Sequence, residues 1–454
     1  MEVKRDNRLM LFFLIKLYKI KQERNYIMII YLNKLLKSKF FKNSFLYTIG
    51  SMMTPMIGLV MLPLYTGYLN PAEYGVMTTI QTLVGMLQIF LLLSLNGAVT
   101  RFFYDFLEQP EKRKEYLSSI FIFVLLFSTI IATILLLFSN SIGSLLFRNI
   151  PIDPFYYYLI GLSWTSALLA LPMALFRAQE KAGLFILVNT LKALFIMGLT
   201  VYLIVGRDLG AESALIAQLL ITFLFVLITF GMLRKFLKFS LNFSLVKQSL
   251  LFSLPLLPHV ASGWIISSSD RVILEKFVNI ADLGIYALAA QVSMVLALFY
   301  SSINNALVPR YTMLRKEGNE LKASKLLKIF AYVVVIFGVA SIPVAMYAIK
   351  LFTSDQYYGA IAIIPILLIA QIVKGFYFIP VAKLFYAKKT KIIATSSTLA
   401  AISNIIINII AIPIIGLYGA IVSTIIAELL RLLLIYKASK SVSASQSNVK
   451  ISSI

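Results

Sequence analysis

Residues 69–102 read LNPAEYGVMTTIQTLVGMLQIFLLLSLNGAVTRF, and residues 278–311, 209 positions later, read VNIADLGIYALAAQVSMVLALFYSSINNALVPRY. Laid over one another without a gap, they match Asn70 to Asn279, Ala72 to Ala281, Glu73 to Asp282 and Gly75 to Gly284. Further on, Asn96 meets Asn305, Val99 meets Val308 and Arg101 meets Arg310. The same offset lays Leu175-Phe176-Arg177-Ala178 on Leu384-Phe385-Tyr386-Ala387, and Gly210-Ala211 on Gly419-Ala420. One inserted residue later, IAQLL at 216–220 falls on IAELL at 426–430. Chance supplies apolar matches in an apolar chain, but it does not place polar and glycine matches at one offset across four helices. The chain is built from two copies of one unit.

The composition says where those copies reside. Of 454 residues, 60% are apolar and 13% charged, with a mean hydropathy of +0.88. A soluble domain is roughly 45–50% apolar and about 25% charged, so this chain is expected to be polytopic in a membrane. Long apolar runs exclude a β-barrel, whose strands alternate over short segments. A span needs about 20 residues. Twelve apolar segments meet that length, at 44–66, 76–98, 117–138, 155–176, 183–205, 213–233, 249–271, 284–306, 328–350, 359–381, 392–412 and 416–436. The expected fold is all-α, with about 12 transmembrane helices in two six-helix halves around a central cavity. An even number of helices returns the chain to the same side, so the halves have parallel topology. A pseudo-two-fold along the membrane normal would relate them, the plan of an alternating-access transporter. The halves are bounded at 44–238 and 239–437, with a basic extension at 1–43 and a Ser-rich tail at 438–454.

The net charge of +23 resembles a nucleic-acid signature until the cations are placed. Of 42 Lys and Arg, 35 fall in the N-terminal tail, the even-numbered connections and the C-terminal tail. Only Arg148, Arg207, Arg271, Lys276 and Lys350 fall on the other side, and Lys192 and Lys374 lie within helices. This bias puts both termini in the cytoplasm and removes the reason to invoke nucleic acid. In the extension, Leu9–Ile20 is too short to span and reads as an interfacial basic helix. It has no small-residue cleavage site, which argues against a secretory signal. Met28 offers a second translation start beside Met1. The serines from residue 441 onward predict a frayed end.

Polar residues inside apolar helices face protein or water. In SLPLLPHVASGWIISSSDRVILEKF at 253–277, His259, Ser262, Gly263, Ser267 and Asp270 form a stripe at helical spacing. Helix 2 offers Gln81, Gly85 and Gln88, and helix 11 offers Ser397, Asn404 and Asn408. Each stripe lines a cavity or glues helices together. His259 is either a proton-coupling switch or a packing histidine. Asp270 and Arg271 line the cavity or sit at the outer interface. Lys192 and Lys374 suit an anionic, phosphate-bearing substrate, unless they snorkel to an interface. Glu428 and Arg431 stand three apart and neutralise each other. Arg101, Arg177 and Arg310 end helices at the basic face as anchors, gates or first contacts for a diphosphate.

Catalytic chemistry has no foothold. There is no GxxxxGK[ST] loop, no cysteine, and a single histidine. Metal ligation by several histidines and thiol chemistry are excluded.

The stretch MLPLYTGYLNPAEYGVMTTIQTLV…SLNGAVTRFFYD at 61–105 resembles the first two helices of the Wzx-type O-antigen and polysaccharide flippases, in the multidrug/oligosaccharidyl-lipid/polysaccharide exporter superfamily. SLPLLPHVASGWIISSSDRVILEKFVNIADLGIYALA at 253–289 resembles the same family's seventh helix and following loop. The resemblance covers residues 44 to about 437. It implies a flippase for polyprenyl-diphosphate-linked oligosaccharide in the bacterial cytoplasmic membrane, serving surface polysaccharide synthesis. It implies a cationic cavity, rocking halves, and a lipid tail that stays in the bilayer. Arg101 and Asp105 match the family's helix-2 end, and His259, Asp270 and Arg271 its helix-7 pattern. No cofactor is expected. A Na+ or H+ gradient, or consumption of the product by polymerase machinery, would drive the cycle. Competing readings are a cation-coupled drug exporter, a peptidoglycan-precursor flippase and a membrane scaffold. The exporter calls for a buried acid in helices 1–6, which is missing. The peptidoglycan branch often has extra helices, which are also missing.

Overall fold

The computed structural model describes residue 50 and residues 56–451, with side chains to 441. The basic extension, the Leu9–Ile20 helix, the Met28 start and most of the first span (44–66) lie outside the described residues. Fifteen α-helices follow, with three single 3-10 turns among them. The first half holds α1 (Leu62–Tyr68), α2 (Pro71–Leu92), α3 (Leu95–Asp105), α4 (Pro110–Leu137), α5 (Ser139–Leu146), α6 (Phe155–Ala178), α7 (Ala182–Arg207) and α8 (Glu212–Leu233). The second holds α9 (Phe243–Ser253), α10 (Leu257–Phe277), α11 (Ile280–Lys316), α12 (Glu320–Phe352), α13 (Ala360–Tyr386), α14 (Thr390–Ile415) and α15 (Leu417–Ile451). Among the described residues, 11 helical stretches are long and apolar enough to cross a membrane. They coincide with the eleven expected spans after the first. The last helix continues to Ile451, where serine content predicted fraying. Serine is only moderately unfavourable in a helix already nucleated upstream.

Each half has one central helix. In the first, α6 packs on α2, α3, α4, α7 and α8; in the second, α13 packs on α11, α12, α14 and α15. The 209-residue offset pairs these two helices through Leu175–Ala178 and Leu384–Ala387.

Two expected spans are broken. The second splits at Leu93 and Ser94, which both take left-handed backbone (φ 50° and 57°) between α2 and α3. Such a conformation costs an L-residue roughly 1–2 kcal/mol. The equivalent stretch of the second half lies inside the unbroken 37-residue α11. The seventh span breaks at a 3-10 turn over Leu254–Leu256, where Pro255 and Pro258 withhold backbone donors. Before the break, α9 packs on α3 and α4 of the first half; after it, α10 packs on α14 and α2. The chain therefore changes halves inside helix 7.

The repeated motif explains where the halves meet. Asn70 caps α2 in a reciprocal box: its side chain accepts from Glu73 N (3.0 Å), and its own N–H donates to Glu73 Oε2 (2.9 Å). Asn279 caps α11, accepting from Ala281 N at 2.9 Å. One turn later α2 and α11 cross at the matched glycines. A Cβ on Gly75 would stand 2.4 Å from the Ile280 carbonyl oxygen, and one on Gly284 only 1.8 Å from that of Pro71. Only hydrogen fits, so the two backbones touch.

Replacing Gly284 with Ala should lower the melting temperature in detergent by the equivalent of about 1–3 kcal/mol. Gly263→Ala, where nothing lies within 4 Å of the added carbon, should raise it by up to about 1 kcal/mol. Equal shifts for both variants would show that the crossing is loose.

Candidate substrate cavity

At the Lys- and Arg-poor end of the bundle, the halves meet around the glycine crossing. Beside the glycine crossing, Tyr74 donates to Gln291 Oε1 at 2.7 Å, and Tyr357 donates to the Leu69 carbonyl at 2.9 Å. Ser354 donates to the Thr66 carbonyl at 2.7 Å. The Tyr74 ring meets Tyr357 edge-on with centroids 5.8 Å apart.

A clasp reinforces this closure. Glu275, at the last turns of α10, is 1% exposed. Its Oε1 accepts three successive backbone N–H groups from the loop after α5: Arg148 (2.7 Å), Asn149 (2.6 Å) and Ile150 (3.2 Å). The Arg148 guanidinium donates to the Lys276 carbonyl at 2.8 Å, and the Asn149 amide donates to the Glu275 carbonyl. An anion in a cradle of amide donors is held by charge-assisted bonds. Nothing in composition flagged Glu275, because a carboxylate near a helix end looks like any interfacial charge.

Behind the closure lies a polar chamber of about 260 Å3 between α2, α10 and α11. Thr78, Gln81, Thr82 and Gly85 line one wall, Trp264, Ser268 and Arg271 another, and Ala287 and Gln291 the third. Arg271 Nη1 donates to Thr82 Oγ1 at 3.2 Å, while its Nε is buried without a hydrogen-bond partner among the described residues. Trp264 donates to the Thr82 carbonyl at 3.2 Å. Arg271 also borders a second chamber of about 40 Å3 inside the second half. That one gathers Ser267, Asp270, Tyr286, Gln371, Lys374, Thr424 and Glu428. Two half-buried cations stand beside two buried carboxylates there, which makes the burial of Asp270 and Glu428 tolerable. Asp270 accepts from the Tyr286 hydroxyl and from the Arg271 backbone at 2.8 Å.

The other sequence candidates scatter. His259 is exposed in the first turn of α10, one and two turns from Gly263 and Ser267. Asn404 is buried in a network: it accepts from Ser269 (3.2 Å) and Asn408 (3.1 Å) and donates to Ser423 (3.4 Å). It lines neither chamber. Lys192 is half-buried on α7, away from both chambers' linings. Arg101 pairs with Asp105 at the exposed end of α3, and Arg310 is exposed near the end of α11. Arg177 lies over the Phe185 ring at 5.4 Å. Glu428 approaches Arg431 at 3.6 Å, and Arg431 donates to Ser397 (3.1 Å) and Tyr377 (2.8 Å). That pair braces α15 against α13 and α14, with Glu428 also reaching the small chamber. Among the described residues no cluster of His, Cys, Asp or Glu is fit to hold a metal.

This fold, with its apolar helices and buried polar cavity, defines a multi-pass membrane protein. Its structure is similar to the lipid II flippase MurJ in an inward closed conformation (TM-score 0.73, 17% identity, 87% of each chain). It is also similar to the inward-facing form of a multidrug resistance MATE family transporter of the MOP superfamily (TM-score 0.68, 15% identity, 87% of this chain and 99% of that one). Residues 40–315 match the polysaccharide biosynthesis protein family, and the chain belongs to that family. A curated relative, Lsg locus protein 1 of Haemophilus influenzae, is 25% identical over 381 residues, covering 80% of this chain and 89% of that protein.

The chain has no native cysteine, so a single cysteine at Thr78 reports access to the polar chamber. Glu275→Ala strips three amides of their acceptor and should open the closed end. With the Lys- and Arg-poor end outside, as the charge bias predicts, labelling of that cysteine by a membrane-impermeant maleimide added to intact cells should rise about tenfold, the factor that 1.4 kcal/mol represents. Unchanged labelling would mean that the clasp does not hold the closure.

Proposed function

We propose that the protein flips a polyprenyl-diphosphate-linked oligosaccharide across the bacterial cytoplasmic membrane by alternating access, for surface polysaccharide synthesis. The observation that carries this reading is Arg271, whose buried Nε lacks a partner inside a polar chamber between the halves. A buried guanidinium donor left unpaired costs roughly 1–3 kcal/mol or more. A phosphate oxygen removes that cost with a charge-assisted bond. The diphosphate and sugars cannot cross about 30 Å of hydrocarbon without such a path. Threonine, glutamine, serine and tryptophan around Arg271 suit sugar hydroxyls and ring faces.

In this reading the basic end faces the cytoplasm, with both termini there, and the clasped end faces outward. The described conformation is then closed to the outside, in keeping with the inward states of the two similar structures. His259 and Gly263 lead from the basic side toward Ser267 and Arg271. Arg101, Arg177 and Arg310 make first contact with the incoming diphosphate, and Lys192 adds a cation to the first half's wall. A Na+ or H+ gradient drives the cycle, and the 40 Å3 chamber between Asp270 and Glu428 has room for one ion or water. Polymerase machinery outside consumes the product.

In proteoliposomes, Arg271→Ala and Lys374→Ala should each slow translocation of a polyprenyl-diphosphate sugar by at least tenfold without changing protein yield. Lys192→Ala should have a smaller effect. A normal rate in the Arg271→Ala, Lys374→Ala double variant would remove both residues from the path. If the native protein moves no lipid-linked sugar but exports small organic cations, the flippase reading falls.

A further inference from the structure

On its membrane face the protein has a further cavity, quite unlike the polar chambers. It is a groove of about 810 Å3 between the end of the first span, α11, α12 and α13. Its lining is apolar except for Ser341. The cause is visible in α12: Ala340, Ser341, Ala345 and Ala348 share a face and leave room that larger side chains would fill. Phe299 and Phe337, with ring centroids 4.7 Å apart, wall one end, and Phe352 lies at the other. From 337 to 352 the groove follows roughly 22 Å of helix at 1.5 Å per residue.

Its position argues for what it holds. Helix α11 is the partition between groove and polar chamber. Ala287 and Gln291 face the chamber, while Val292, Val295, Leu296 and Phe299 face the groove. The seam beside them is closed by one hydrogen bond, from Gln291 Nε2 to the Gly58 carbonyl (3.0 Å), next to Leu59 of the groove wall. An amphiphile with a polar anionic head and one long apolar chain fits the two compartments on either side of that seam.

We propose that the groove binds the polyprenyl chain of the lipid-linked substrate while the head occupies the Arg271 chamber; this rests on the function proposed above. The tail is then not left to the bulk bilayer. Chain recognition lets one protein accept varied sugars on a common lipid, because most of the apolar contact is made away from the sugar.

The test uses the full-length protein in proteoliposomes and two probes with a photoreactive diazirine in the apolar chain: a polyprenyl diphosphate and phosphatidylglycerol. The polyprenyl probe should label α12 between residues 337 and 352, and unlabelled polyprenyl diphosphate should suppress the label. Suppression should be at least tenfold weaker with phosphatidylglycerol as competitor. The Ala340→Trp, Ala348→Trp double variant should lose the label and slow flipping of long-chain lipid-linked sugar about tenfold. It should leave a short two-isoprenoid analogue and the melting temperature unchanged. Equal labelling by phosphatidylglycerol, or label spread evenly over the lipid-facing helices, would overturn the proposal in favour of bulk lipid. The two readings separate cleanly. Specific labelling without flipping by the native protein leaves the groove standing and removes the flippase. Flipping without labelling of α12 does the reverse.

Discussion

Two helices of a membrane protein gain little by hiding apolar surface from one another, because lipid is as apolar as leucine. What brings α2 and α11 together is the absence of side chains at Gly75 and Gly284. Backbone contact at that depth is short-ranged and intolerant of one added carbon. Each copy of the duplicated unit contributes the same glycine one turn after the same asparagine cap, so the contact is self-complementary. The other contacts between halves at this end are arranged around that crossing: the Tyr74–Gln291 bond, the Tyr357 ring and the Glu275 clasp.

From this constraint follows the placement of polarity. With the halves meeting at the glycine crossing, the space behind that contact is enclosed by α2, α10 and α11. Their inward faces must then hold whatever polar groups water or substrate will meet. Charges so placed need partners: Asp270 has Tyr286 and the backbone of Arg271, and Glu428 has Arg431. Arg271 alone retains a donor without an acceptor while bordering both chambers. On the small chamber, Gln371 Oε1 and Glu428 Oε2 are likewise buried without a hydrogen-bond partner among the described residues, so Arg271 is set apart by being the unsatisfied donor that also reaches the larger chamber.

Much of this was legible in the sequence. Apolar length located the spans, and the 209-residue offset located the duplication, because both are strong periodic signals. The polar stripe of His259, Ser262, Gly263, Ser267 and Asp270 was also readable, since lipid forbids it unless it faces inward; of these, Ser267 and Asp270 line the small chamber, while His259 is exposed. Depth was not readable. Asn404 and Arg271 look alike as polar residues in apolar helices, yet one is spent on Ser269, Asn408 and Ser423 and the other opens to a chamber. Glu275 was missed because its value comes from three amides 125 and more residues earlier in the chain. The apolar groove was invisible for a related reason: alanines on a membrane helix read as ordinary until their neighbours are known.

Arg271 ties binding to opening in the proposed cycle. Among the described residues, its side chain donates across the halves to Thr82. A diphosphate in the chamber competes for that guanidinium, and a doubly anionic ligand outbids a neutral hydroxyl. In that cycle, substrate weakens a contact that joins the halves. A ligand shifts a conformational equilibrium only by its difference in affinity for the two states. Here the difference is built in: the state that keeps the Thr82 bond offers the phosphate one donor fewer. The glycine crossing and the Glu275 clasp set how far the empty protein leans toward closure, and Arg271 gives the substrate its leverage against them.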